Sequence, residues 1–206
     1  MNLSHRVLLV EGSDDFHVVS SLLQKKKFPH CFEIQPKDGI ESVLEVLPIQ
    51  LKASGIERVG ILVDADVSVE GRWHSIKSIL ETAGYTGIAE NPPTGGLVVK
   101  APEKPTVGVW IMPDNTVPGM LEDFMAFLVP KECTMYKYAE EIVDSVPKSD
   151  DRYKDIHRSK ALIHTWLAWK EDPGTPLGLA ITKKYFSSDA EEVEPFVAWL
   201  KDLFVT

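Results

Sequence analysis

Acidic residues stand where two apolar runs give way to polar turns. The first run is Val7-Leu8-Leu9-Val10-Glu11-Gly12-Ser13-Asp14-Asp15, and the second is Gly60-Ile61-Leu62-Val63-Asp64-Ala65-Asp66. Glu11 and Asp15 are four residues apart, so in a tight turn into a helix their carboxylates face the same way. Asp64 and Asp66 flank Ala65, and the alternation of an extended segment puts both on one side. Asp114 and Glu122 follow a further apolar run, Thr106 to Met112. Like charges about 4 Å apart repel by roughly 4 kcal/mol at an effective dielectric of 20. Four gathered carboxylates therefore want protons or divalent cations. With no His or Cys at ligand spacing, an all-oxygen set points to Mg²⁺ or Mn²⁺ rather than zinc.

The elements that must bring these residues together follow from the apolar periodicity. Arg6 to Val10 reads as a strand, and Phe16, Val19, Leu22 and Leu23 as one face of the helix after it. Phe32 to Gln35 alternates as a second strand, and Gly39 opens a helix carrying Ile40, Val43, Leu44 and Leu47, broken near Pro48. Val59 to Val63 is almost wholly apolar, as a central parallel strand covered on both faces should be. A helix bearing Trp73, Ile76, Ile79, Leu80 and Ala83 follows, with Gly84 as its stop. Residues 91–105 are rich in Gly and Pro and read as an irregular insertion or a loose hairpin around Leu97 to Val99. Thr106 to Met112 is the fourth strand, and Met120 to Leu128 a short amphipathic helix.

The rest reads as helices over Tyr136 to Val146, Asp155 to Trp169 and Pro195 to Phe204, with a turn at Asp172 to Pro176. The expected fold is α/β: a mainly parallel four-stranded sheet between helices over residues 1–130, with a helical C-terminal extension, 131–206, packed on it. Ligands in such sheets bind beyond the carboxyl ends of the strands, where these acids lie.

Composition bounds the class. Hydrophobic residues make up 44% and charged residues 26% of 206, which excludes a disordered or fibrous chain. No uncharged apolar run approaches the ~20 residues needed to cross a bilayer. Met1 to Arg6 lacks the apolar core of a signal peptide, so the expected location is the cytoplasm. Cys31 and Cys133 read as buried thiols. The net charge of −9 repels a polyanion, so contact with nucleic acid must be local and weak. Lys25 to Lys27 read as a solvated helix face; Arg152, Lys154, Arg158 and Lys160 form a second basic cluster. The tryptophans Trp73, Trp110, Trp166, Trp169 and Trp199 fall mainly at core positions. His17, His74, His157 and His164 show no ligand spacing.

The two acidic motifs closely resemble the signature motifs of Toprim domains, the first supplying Glu11 and the second the Asp64 and Asp66 pair. The spacing of Glu11 and Asp15 is similar to that of the overcoming-lysogenization-defect (OLD) nucleases and their small stand-alone relatives. Ile111 to Asn115 and Gly119 to Phe124 resemble the third acidic motif of those relatives, which implies a metal-binding role for Glu122. Lys160, in His157-Arg158-Ser159-Lys160-Ala161, would be the late basic residue that assists catalysis. The resemblance spans about residues 5 to 128, with Lys160 beyond it.

It implies a Mg²⁺-dependent nuclease in which Glu11, Asp64 and Asp66 hold one ion while Asp15 and Glu122 help with a second. Glu11 serves alternatively as general base. The implied substrate is nucleic acid, DNA before RNA. The 206 residues hold no ATPase domain such as full-length OLD proteins carry, so an ATPase would be a separate partner. The chain could act as a monomer or an oligomer.

Other readings compete. Leu62 to Asp66 also fits the opening of haloacid-dehalogenase-type phosphatases, with Asp64 as nucleophile and Asp66 as general acid. Lys148, Asp150 and Asp151 supply the later residue types, but Val146-Pro147 is no strand. A receiver domain would need a Lys-Pro after a fifth strand. A metal-binding module that regulates or docks without catalysis keeps the same acids, and helix N-terminal capping explains Glu11, Asp64 and Asp66 without any ligand.

Overall fold

Strand pairing decides where the acids go. In the computed structural model, which describes residues 3–149 and 151–206, five strands form one sheet. They are β1 (Arg6–Val10), β2 (Glu33–Pro36), β3 (Arg58–Asp64), β4 (Leu97–Val99) and β5 (Thr106–Met112), in the order β2-β1-β3-β5-β4. β1 pairs with β2 and β3, and β3 with β5, all in parallel. β4 runs antiparallel to β5. The sheet is thus mostly parallel, with five strands where four were expected. The fifth is Leu97–Val99, where a loose hairpin was one of two expectations; at three residues among Gly and Pro it is too short for an alternating pattern to mark it as a sheet strand.

The helices are α1 (Ser13–Lys25), α2 (Gly39–Gln50), α3 (Val69–Thr82), α4 (Leu121–Phe127), α5 (Thr134–Ser145), α6 (Arg158–Ala168), α7 (Leu177–Thr182) and α8 (Glu194–Phe204). Side chains alternate across each strand, so the sheet feeds two cores. Val7, Leu9, Val59, Ile61, Val63, Val107 and Val109 pack beneath α2 and α3. Leu8, Val10, Leu62, Trp110 and Met112 pack with α1, α4, α6, α7 and α8 on the opposite face. On that face Gly60 and Gly108 are neighbours across β3 and β5. A Cβ at Gly108 would lie 2.6 Å from Leu203, so the paired glycines make the seat on which α8 rests. Arg6 and Arg58 donate to the Phe204 and Leu203 carbonyls at the end of α8, satisfying acceptors that a helix terminus leaves open.

Several local expectations are corrected. α2 continues through Pro48 to Gln50, because in the last turn the ring removes one hydrogen bond without breaking a longer ladder. α7 follows the Asp172 to Pro176 turn, a six-residue helix too short for its periodicity to register. Cys31 and Cys133 are free and half-buried rather than buried. Lys25 donates to the Thr182 carbonyl and Lys26 to Glu194, so two lysines of the supposed solvated face tie α1 to α7 and α8. Trp73, Trp110, Trp166 and Trp199 are buried, but Trp169 lies on the surface. No helix among the described residues is long and apolar enough to cross a membrane.

The α1–α7 contact supplies a test of the packing. A Cβ at Gly178 would stand 2.6 Å from the backbone oxygen of His17 in α1, and backbone cannot step aside as a side-chain tip can. Ala normally favours a helix over Gly by about 1 kcal/mol, but overpacking costs about 1–3 kcal/mol. Gly178→Ala is therefore expected to lower the melting temperature by roughly 3–6 °C. A rise in calorimetric melting temperature would show that α7 does not sit this close.

Candidate functional site

Parallel β1, β3 and β5 deliver their carboxyl ends to one edge of the sheet. Glu11 is the first residue after β1, Asp64 the last of β3, and Glu122 the second of α4, which follows β5. Gly12 is the N-cap of α1, and the N3 residue Asp15 accepts its N–H through Oδ2 at 3.0 Å. This is the returning half of a capping box, and it explains why an acid stands there in the turn. The Asp64 N–H donates to Glu11 Oε1 at 2.8 Å and locks the first two loops together. Glu11, Asp15, Asp64, Glu122 and Lys160 line one cleft of about 230 Å³.

Inside it the carboxylates are poorly satisfied. Asp15 Oδ1 and Asp64 Oδ1 are both buried with no hydrogen-bond partner, and they are the carboxylate oxygens so placed among the described residues. Burial and the neighbouring Asp15, Glu11 and Glu122 charges push Asp64 up to about 9. Asp15 is raised to about 7, by burial first and then by the Glu11 and Glu122 charges. Glu11 is raised as well, chiefly by burial, although the Asp64 N–H and Arg72 oppose the shift. Glu122 is 4% exposed, with Lys160 Nζ at 3.3 Å and His164 Nε2 at 3.9 Å.

The structure sets Asp66 apart. Its φ of 52° lies in the left-handed region, which Asp tolerates better than most residues, and this breaks the extended alternation expected of Asp64-Ala65-Asp66. Asp66 Oδ2 accepts from Arg72 Nη2 at 2.6 Å, and Arg72 Nε reaches the Asp64 carbonyl at 2.7 Å. Asp66 also exchanges two backbone hydrogen bonds with Gly119, joining the loops after β3 and β5. It does not line the cleft, although its charge still raises Glu11 and Asp64.

Asp114 is drawn into its own turn, where Oδ1 accepts from the Thr116 N–H and hydroxyl and from the Val117 N–H. Asp14 lies exposed at the cleft. Of the phosphatase-type residues, Lys148 lies in a segment, 146–149, that forms no strand, and Asp150 lies outside the described residues.

Three further residues of the site have no role assigned from the sequence, although Asp123 stands within the third acidic motif. Asp123 accepts the Met120 N–H and the Ser159 hydroxyl, and this pins the start of α6 against α4 so that Lys160 meets Glu122. His164, four residues beyond Lys160, shares its helix face, and that spacing was the available signal. Arg72 was detectable only as the cation in the first turn of the helix after Asp66. Arg152 and Arg158 are engaged by Asp155, Asp144 and Glu140, so Lys160 is the member of the basic cluster that reaches the acids.

Among the described residues, no three His, Cys, Asp or Glu side chains already stand as a ligand set. The case for a cation rests on donor chemistry: hard oxygens, two of them buried and unpartnered, in a cleft whose negative charge is disfavoured. Cavity size alone does not locate this chemistry. A larger cavity of about 810 Å³ lies between α1 and β2, lined mainly by side chains such as Phe16, Phe28 and Phe32.

The family model described as a protein of unknown function, DUF3226, matches residues 5–205. The chain belongs to this family. The match takes in the carboxylate cleft and the C-terminal helices alike, so both are parts of one DUF3226 unit. No curated protein and no solved structure matches the chain.

Proposed function

We propose that this DUF3226 protein is a Mg²⁺- or Mn²⁺-dependent phosphodiesterase acting on nucleic acid, of the kind its resemblance to Toprim and OLD nucleases implies. The observation that carries the reading is the pair of buried, unpartnered oxygens, Asp15 Oδ1 and Asp64 Oδ1, in the cleft with Glu11 and Glu122. Glu11, Asp15, Asp64 and Glu122 would hold the cation. A cation held there supplies a water of lowered pKa and neutralises phosphate oxygens. Asp66 supports the site from behind, fixing Arg72 against the Asp64 carbonyl. Lys160, half exposed above Glu122, offers an ammonium to a phosphate that enters the cleft. Glu11, whose pKa burial raises, stands first after β1 at the cleft and is the candidate general base.

The net charge of −9 leaves the chain a weak binder of DNA by itself, so in this reading a cytoplasmic partner such as an ATPase supplies affinity. The test is a panel of supercoiled, linear and single-stranded DNA and RNA with Mg²⁺, Mn²⁺ or EDTA. Cleavage is expected with either metal and none with EDTA. Metal binding without cleavage of any substrate, with or without an ATPase, would favour the non-catalytic module instead.

A further inference from the structure

α5 presents apolar residues to two sides. Ala139 and Val143 are buried against the core, but Met135, Tyr138 and Ile142 form a second stripe at intervals of three and four, with Val146 just past the helix end, all more than a third exposed. Trp169, at the end of α6, extends it, with its ring 5.6 Å from that of Tyr138. These five are half of the ten large exposed hydrophobic residues among the described residues. Such a concentration marks a contact surface, whereas scattered ones do not. Tyr, Trp and Met are also the residues enriched at interfaces.

The charges on α5 run against its dipole. Its first turn holds no acid and its last no base; Lys137 lies in the N-terminal half and Glu140, Glu141 and Asp144 in the C-terminal half. That order is unfavourable for an isolated helix. Arg158 offsets Glu140 and Asp144. Glu141 has no ion-pair partner among the described residues, and Lys137 meets only the highly exposed Glu132, at 3.9 Å. Lys137 and Glu141 are four apart, on one row along the solvent edge of the stripe.

We propose that this face binds a second copy of the chain, through antiparallel pairing of the two α5 helices about a two-fold axis. Antiparallel pairing sets the lysine-bearing half of each helix against the acidic half of the other. Lys137 of each copy then faces Glu141 of the second, and the contact occurs twice by symmetry. The apolar stripes meet between these pairs. The arrangement is self-complementary, which a partner of uniform charge would not match.

The test is the molar mass of the full chain by light scattering over a concentration series at physiological salt. Twice the chain mass is expected in the micromolar range. Lys137→Glu and Glu141→Lys should each weaken self-association by about tenfold, since each replaces attraction by repulsion at both symmetric contacts. The double variant should return to within a few-fold of wild type. Tyr138→Ser with Ile142→Ser should be monomeric with an unchanged circular dichroism spectrum. A wild-type monomer at every concentration would overturn the proposal and leave the stripe to a different partner. A dimer indifferent to the stripe variant, or a charge exchange that fails to rescue, would overturn it equally.

Discussion

Asp64→Asn is expected to reduce metal-dependent cleavage by at least ~100-fold, while making the metal-free protein more stable than wild type near pH 8. The two effects share one cause. In wild type at that pH the folded chain keeps a proton on Asp64, whose pKa is raised to about 9, whereas the unfolded chain releases it. Asparagine has no proton to release, so unfolding loses that advantage, and its amide can donate to the carboxylates around it. A gain of about 2–3 kcal/mol corresponds to roughly 5–10 °C in melting temperature for a chain of this size.

Asp66→Asn should behave oppositely. It removes a charge that pairs with Arg72 at 2.6 Å, so its metal-free form is expected to lose stability modestly, the pair being partly exposed. Thermal melts in EDTA compare the three proteins directly. A wild-type melting temperature at or above that of Asp64→Asn would mean that the carboxylates do not repel one another in the cleft.

The pH profile gives the second large effect. Asp15 and Asp64 have folded-state values of about 7 and about 9, above the ordinary 3.8. Between about pH 4 and pH 9 the folded state therefore binds more protons than the unfolded state, and stability falls as pH rises through that window. The contribution is fully present below pH 4, where surface ion pairs begin to fail for other reasons, so the useful range is pH 5.5 to 8.5. Across it the metal-free protein is expected to lose several degrees of melting temperature. Mg²⁺ at millimolar concentration should flatten the slope, because it favours the ionised carboxylates and binds only the folded cleft. Metal-free stability that rises over this range would contradict the raised values.

Much of this arrangement was legible in the residues. The apolar runs of β1, β3 and β5 and the 3.6-residue faces of α1 and α3 were visible because each is long enough to repeat its pattern. Their parallel order placed Glu11, Asp64 and Glu122 at one edge. β4 was legible only as a loose hairpin around Leu97 to Val99, one of two readings, and α7 not at all, since three and six residues do not complete a pattern and Gly and Pro surround them. The burial of α8 on Gly60 and Gly108 is a long-range contact that no local window contains.

Within the site, Asp15 was visible from its spacing to Glu11. The separation of Asp66 was not, because one residue in the left-handed region reverses what alternation dictates. The link from Asp123 to Ser159 that fixes Lys160 spans 36 residues and appears only when α4 and α6 pack.

Whether the cleft carboxylates hold a divalent cation is tested most directly by titrating the metal-free protein with Mn²⁺ and following free Mn²⁺ by electron paramagnetic resonance, for wild type and Asp64→Asn. The expected result is saturable binding to wild type at millimolar concentrations or below, displaced by Mg²⁺ and weakened by at least about tenfold in Asp64→Asn. No binding to wild type, or equal binding to both proteins, would contradict a cation site built on Asp64.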